Sequence, residues 1–189
     1  MPVLSTVLRL LRRYRDHTSG SMVIESIFAI PILALGMTGF FTFWDVYRSQ
    51  NMVQKASYAV SDMLSREMIP ATPAFLDGLE DTLEFLIRQD ASIRITSIRR
   101  TSDGPTGLLG LDVLWSYSPG NAMVPLNEAS LTEIEAEIPM MAIGSNMVMF
   151  EVVAPYAPLT EILQVDTITE VVAMRPRFLP TLCMQGTIC

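Results

Sequence analysis

Glu25 is the residue whose chemistry stands out first, because it opens an apolar segment in which a carboxylate is costly. The nineteen residues from Ser26 to Trp44 carry no ionisable side chain. An acidic residue near the middle of a bilayer costs up to about 3 kcal/mol, so a carboxylate here needs either water or a cation. One interpretation is that Glu25 lies close enough to the membrane edge for its side chain to reach interfacial water.

Few other residues could form a catalytic or metal site. His17 is the only histidine and lies in the basic N-terminal stretch, so we expect no Ser-His-Asp or Cys-His nucleophile beyond it. The sequence has no glycine-rich phosphate loop, HExxH helix or G-x-S-x-G turn. A paired-carboxylate hydrolase remains open, but 18 acidic residues after Trp44 with no other sign support it weakly. We therefore predict no enzymatic activity, no cofactor and no metal.

The two cysteines, Cys183 and Cys189, stand six positions apart near the C-terminus. In an oxidising compartment they can close a small loop, which contributes about 2 kcal/mol in the chain-entropy model. Free thiols and an intermolecular bond are the alternatives. We predict the internal disulfide.

The element that positions Glu25 is a membrane span, which we place at about residues 22–44. Nineteen residues at about 1.5 Å each match the roughly 30 Å hydrocarbon core of a bilayer. The preceding stretch carries four arginines against Asp16 alone, namely Arg9, Arg12, Arg13 and Arg15. The positive-inside rule then predicts a cytoplasmic leader at residues 1–20 and an exported remainder. An ordinary cleaved signal peptide fits less well, because its apolar region has about 7–15 residues.

Pro31 lies inside this span and predicts a helix kink near residues 27–31, because proline removes one backbone hydrogen bond. Gly36 and Gly39 are spaced by three residues instead of four, so they are a weak signal for close helix packing.

The helical pattern continues past the span to about Glu67, which gives one long helix over residues 21–68. Its apolar stripe repeats every three or four residues, and Gln50, Lys55, Ser61 and Asp62 fall mainly outside it. Thr72 and Pro73 then predict the start of a second helix that ends near Asp90. Four carboxylates on that helix could suggest a cation site, but a solvated face is the better interpretation: Asp77, Glu80, Asp81 and Glu84.

The rest of the chain predicts strands at residues 92–98, 109–117, 147–153 and 167–174, with a short acidic helix at residues 131–138. A turn at residues 102–105 should join the first two strands into a hairpin, in which Trp115 and Tyr117 belong to the core. We expect an α+β fold, with an exported domain at residues 69–189 that contains about four mostly antiparallel strands. Only 9 basic residues accompany the 18 acidic ones after Trp44, which argues against nucleic acid as a partner.

The N-terminal segment combines several features at fixed spacing: Arg12, Arg13 and Arg15, then Gly20, the small or apolar residues 21–24, Glu25, and Pro31 six positions later. In these features it resembles the leader of type IV pilin-like proteins, and more closely the TadE/TadF-type minor pseudopilins of tight-adherence (Flp) pilus systems. Residues 154–159 weakly resemble the C-terminal half of that family. Ser26 departs from the pattern, since an aromatic residue often follows the glutamate.

The resemblance implies that a prepilin peptidase cuts after Gly20 and leaves Ser21 as the mature N-terminus. The freed α-amino group, with a reference pKa near 7.7–8.0, would be a cation able to pair with Glu25 of a neighbouring subunit. The implied partners are that peptidase, pilin and other minor pseudopilins, the inner-membrane secretion platform and the lipid bilayer. The implied location is the bacterial inner membrane, with a periplasmic domain that stays at the pilus base or enters the fibre.

Three functions follow from these observations. The favoured one is a minor pseudopilin that acts in pilus assembly. The second is an uncleaved single-pass scaffold whose exported domain binds other envelope components. The third is a signal-anchored enzyme or small-molecule binder, which would need a concave apolar pocket.

Overall fold

The computed structural model describes residue 12 and residues 19–101, 110–131, 134, 138–158, 160 and 165–187, with the backbone alone at residues 19–21. Its helices are α1 (Ser19–Ser65), α2 (Pro73–Ile87) and the short α3 (Glu128–Leu131). Its strands are β1 (Ser92–Arg100), β2 (Leu111–Tyr117), β3 (Asn146–Pro155) and β4 (Thr167–Met174). One long apolar N-terminal helix, a second helix and a four-stranded antiparallel sheet confirm the predicted α+β fold.

Helix α1 has 47 residues and continues through Pro31 without a break. At about 1.5 Å per residue it is about 70 Å long. The kink predicted at Pro31 stays a prediction. Residues 22–38 of this helix are exposed, and the second half of the helix packs on the domain.

Helix α2 starts where the capping signal predicted. The hydroxyl of Thr72 accepts the backbone N–H of Phe75 at 3.2 Å, and Pro73 is the first helical residue. The helix ends at Ile87, earlier than predicted, because Arg88 takes a left-handed conformation with φ 58°.

The sheet has the strand order β2-β1-β3-β4, and all three neighbouring pairs are antiparallel. The predicted hairpin of β1 and β2 is confirmed, with an irregularity between Ser97 and Ile98. The turn predicted at residues 102–105 lies outside the described residues.

Both sheet faces are covered, which gives the domain two apolar clusters. Helices α1 and α2 pack on one face, in a cluster that includes Val53, Val60, Leu64, Leu76, Leu83, Ile95, Trp115, Phe150 and Val152. The segment that contains α3 covers the other face, where Leu126, Leu131, Ile138 and Met141 contact Ile98, Met147 and Met149. Trp115 is therefore a core residue as predicted, whereas Tyr117 is only partly buried.

Serines complete the buried face of α1. Ser57, Ser61 and Ser65 are each at most 4% exposed. Their hydroxyls donate to backbone carbonyls within the helix at 2.8 to 3.1 Å, so their burial leaves no polar atom unpaired. Ser61, which the sequence pattern placed mainly outside the apolar stripe, therefore lies on the buried face.

The short helix was predicted three residues too late. It spans Glu128–Leu131, whereas Ile134 and Ile138, within the predicted range of 131–138, lie in bends. Asn127 sets its start: the Asn127 side chain accepts the N–H of Ser130, and the Ser130 hydroxyl accepts the N–H of Asn127. This reciprocal capping is a sequence signal that periodicity alone did not reveal.

The C-terminal segment closes the domain by binding the end of α1 and the connection between α1 and α2. The N–H of Arg177 donates to the Ser65 carbonyl at 2.8 Å and so satisfies the end of α1. The N–H of Ala71 donates to the Cys183 carbonyl, and the carbonyl of Ala71 accepts the N–H of Gln185. The indole N–H of Trp115 donates to the Leu182 carbonyl at 2.8 Å.

Candidate functional site

The candidate functional site is the half of α1 that lies free of the domain, from residue 22 to residue 41. Its large apolar side chains are 49 to 77% exposed, among them Met22, Phe28, Leu33, Met37 and Phe41. A buried core helix would hide such residues. Among the described residues, α1 is the one helix long and apolar enough to cross a membrane, and its most apolar window is 0% buried.

The two hydroxyl side chains of the free half, Ser26 and Thr38, donate within the helix. The Ser26 hydroxyl donates to the Met22 carbonyl at 2.7 Å, and the Thr38 hydroxyl donates to the Ala34 carbonyl at 2.8 Å. Such internal bonds suit a lipid environment, because hydrocarbon offers no alternative partner.

Glu25 is an exposed carboxylate near the start of this free half. Its side chain makes no hydrogen bond or ion pair with any residue that the structure describes. Gly20 and Ser21 lie one helical turn or more before it in the backbone of α1. The structure therefore leaves Glu25 available to an external partner, while its predicted role and the predicted cleavage stay predictions.

Among the described residues, the first hydrogen bond between α1 and the domain along the chain is at Thr42, which is 1% exposed. The hydroxyl oxygens of Thr42 and Thr160 are 3.0 Å apart, and the Thr42 hydroxyl also lies 2.8 Å from the Thr38 carbonyl. The free half therefore has the twenty residues 22–41, or about 30 Å of helix, which is the thickness of a bilayer core. This is slightly shorter than the span predicted at about residues 22–44.

One helical turn further, Asp45 is bound to the domain. Its Oδ2 accepts the hydroxyl of Tyr156 at 2.7 Å. Burial, followed by this hydrogen bond, raises the pKa of Tyr156 to about 12, so the phenol stays a neutral donor. Gln54 continues the junction, since its amide donates to Glu170 at 3.2 Å.

Sequence reasoning missed this junction. Tyr156 was noted only as part of a segment that resembles a family, and nothing in the local pattern links it to a residue 111 positions earlier. The available signal was Asp45 itself, the first carboxylate after the apolar run, which needs a partner near a membrane surface.

The four carboxylates of α2 form the predicted solvated face only in part, because Asp77 and Asp81 are exposed whereas Glu80 and Glu84 are half-buried. Glu84 accepts the N–H of Ala91 at 3.0 Å, and Glu80 accepts the N–H of Ile93 at 3.2 Å. Asp77 accepts the Tyr117 hydroxyl at 2.7 Å. These bonds fasten α2 to the sheet, and burial raises the pKa of Glu80. No group of three or more metal-ligating side chains occurs among the described residues.

Cys183 is disulfide-bonded. Its predicted partner Cys189 lies outside the described residues, so the pairing itself stays a prediction. The cysteine lies at the end of the domain where the C-terminal segment binds Ala71, far along the chain from Glu25 and Pro31.

Comparisons of this chain with protein-family profiles, curated proteins and solved structures found no match. The residues and their geometry are therefore the basis for a functional proposal.

Proposed function

We propose that this chain is a membrane-anchored minor pseudopilin that acts in the assembly of a tight-adherence pilus. The proposal rests on the position of Glu25, which lies five residues after Gly20 and near the start of the free apolar half of α1. The other half of the same helix is fixed to a small α+β domain. Such a molecule can present a bare helix to neighbouring subunits while its domain stays outside the bilayer.

In this proposal, a prepilin peptidase cuts after Gly20 and creates a cationic amine at Ser21. The amine of one subunit pairs with Glu25 of its neighbour, which sets the register between packed helices. Breaking a buried ion pair from one side costs about 3–5 kcal/mol, enough to decide between registers. The helix would contact pilin, other minor pseudopilins and the secretion platform of the inner membrane.

The decisive experiment is the intact mass and N-terminal sequence of the protein extracted from the membranes of its native host. A start at Ser21 supports the proposal. A start at Met1 or Pro2 removes the amine and makes an uncleaved single-pass scaffold the better account.

Two variants separate processing from assembly. Gly20→Ala should reduce cleavage, whereas Glu25→Ala should leave cleavage intact and impair pilus assembly. Ser26→Ala is a matched control, because the Ser26 hydroxyl bonds within its own helix. Normal piliation in the Glu25→Ala strain would refute the register role.

A further inference from the structure

A second distinctive surface lies just beyond the free half of α1, on the helix side away from the domain. It consists of Trp44, Tyr47, Arg48, Asn51 and Lys55, and we call it the outer face. Trp44 is 60% exposed and Tyr47 is 66% exposed. These residues recur at three- and four-residue spacing, so they share one side of the helix.

Between residues 45 and 55, the charged side chains of α1 lie on two different sides of the helix. Asp45 is directed to the domain, where it binds Tyr156. Arg48 and Lys55 are exposed on the outer face and pair with no carboxylate among the described residues. The stretch from residue 46 to residue 61 contains no acidic residue, although acidic residues outnumber basic ones two to one after Trp44. The outer face is thus a cationic surface on an acidic exported part.

Helix geometry brings this cationic surface to the membrane boundary. Arg48 lies four residues, or about 6 Å, beyond Trp44 along the axis. Helical side chains point toward the helix N-terminus, which here is the direction of the free half. The guanidinium of Arg48 therefore lies at about the same level along the helix axis as Trp44. Lys55 starts about 16 Å beyond Trp44. Its ammonium stays within about one Debye length of a headgroup layer at that level.

We propose that the outer face binds the phosphate groups of anionic phospholipids, with Arg48 as the main contact and Lys55 as a weaker one. The proposal rests on the membrane anchoring proposed above. Lipid is the favoured occupant because the outer face continues the apolar half-helix without a break, at the depth where headgroups begin. Exposed tryptophan and tyrosine are the residues typical of that depth.

Trp44 itself provides the test. The full chain is reconstituted into phosphatidylcholine vesicles that contain dibrominated phosphatidylglycerol or dibrominated phosphatidylcholine, and tryptophan quenching gives the relative association of each lipid. Trp115, the other tryptophan, is buried in the domain core and provides an unquenched baseline, which a Trp44→Phe variant measures.

A cation near an anionic surface favours the anionic lipid by about fivefold, so we expect a preference of at least that size around Trp44. Arg48→Gln should remove most of the preference and Lys55→Gln a smaller part, while the double variant should show none. High salt should lower it. Arg175→Gln is the matched control: this exposed arginine follows β4 near the far end of α1, so its loss should change nothing.

The possible failures are distinguishable. If neither brominated lipid quenches Trp44, the chain is not anchored as proposed. If both lipids quench Trp44 equally, the chain is anchored in the membrane but the outer face does not prefer anionic headgroups, and the proposal is overturned. An acidic protein partner would then be the alternative ligand of the outer face. An equal loss of preference in Arg175→Gln and Arg48→Gln would also overturn the proposal, because net charge alone would then explain the effect.

Discussion

Glu151→Gln should be among the most destabilising conservative substitutions in the domain. Glu151 and Arg94 form a bidentate ion pair with two 2.7 Å bonds, and their side chains are only 7% and 15% exposed. The guanidinium also donates to the Val124 carbonyl, so the pair holds the segment before α3 on the sheet. The amide is isosteric, but it leaves the Arg94 charge buried without a counter-charge, which costs about 3–5 kcal/mol.

The assay is urea unfolding of the full chain in detergent micelles, followed by the fluorescence of Trp115 in a Trp44→Phe background. Asp62→Asn is the matched control, because Asp62 pairs with Arg66 and Arg177 at the surface and is 37% exposed. Exposed pairs contribute about 0–1 kcal/mol, so this variant should unfold at nearly the native urea concentration.

A third variant separates charge from packing. Replacing both partners, Arg94→Met with Glu151→Leu, removes the desolvation cost together with the attraction and should lie within about 1–2 kcal/mol of the native protein. If Glu151→Gln costs no more than Asp62→Asn, or if the double variant is the least stable of the three, the buried-charge reasoning is wrong.

Two further predictions concern the domain's attachment and its second helix. The raised pKa of Tyr156 means that its stabilising effect is complete below pH about 10 and is lost as pH rises toward about 12, so Tyr156→Phe should flatten the alkaline fall in unfolding free energy. If the unfolding free energy of the native protein and of Tyr156→Phe falls by the same amount between pH about 10 and about 12, this prediction is contradicted. Thr72→Ala should lower the unfolding free energy by about 1 kcal/mol, because the N–H of Phe75 loses its cap; an unchanged urea midpoint would contradict the capping role.

Local patterns in the sequence predicted the elements of this fold well. Hydrophobic periodicity indicated α1, and Thr72 with Pro73 marked the start of α2, because both signals depend on neighbours within a helical turn or two. The alternation around Trp115 likewise indicated β2, but the irregularity between Ser97 and Ile98 places Leu111 and Val113 in the cluster on the opposite sheet face from Trp115. Polar contacts between distant segments were not predictable in this way. Glu80 and Glu84 have the sequence pattern of a solvated face, but in the structure they accept N–H groups of Ile93 in β1 and of Ala91 just before it.

The free half of α1 likewise has one feature that the sequence predicted and one that it did not. Glu25 and its apolar neighbours could be recognised from the sequence, because burying a lone carboxylate among apolar residues costs free energy in any fold. The end of the free half could not be predicted from the sequence, because it depends on the bonds of Thr42 and Asp45 to Thr160 and Tyr156. Asp45 signals the need for a partner but does not identify it. Three-dimensional closure of the domain sets that boundary.

The second half of α1 is held at both of its ends, and this bears on any function that involves helix packing. Thr42 and Asp45 fix its start, and the N–H of Arg177 binds its last carbonyl at Ser65. Because the helix is continuous, the direction of the free half is then coupled to the orientation of the whole domain. A contact that turns the free half must move the domain with it, or break the bonds at Asp45 and Thr42. Loosening the junction should therefore change the orientation of the domain relative to the free half while leaving the apolar surface of that half unchanged.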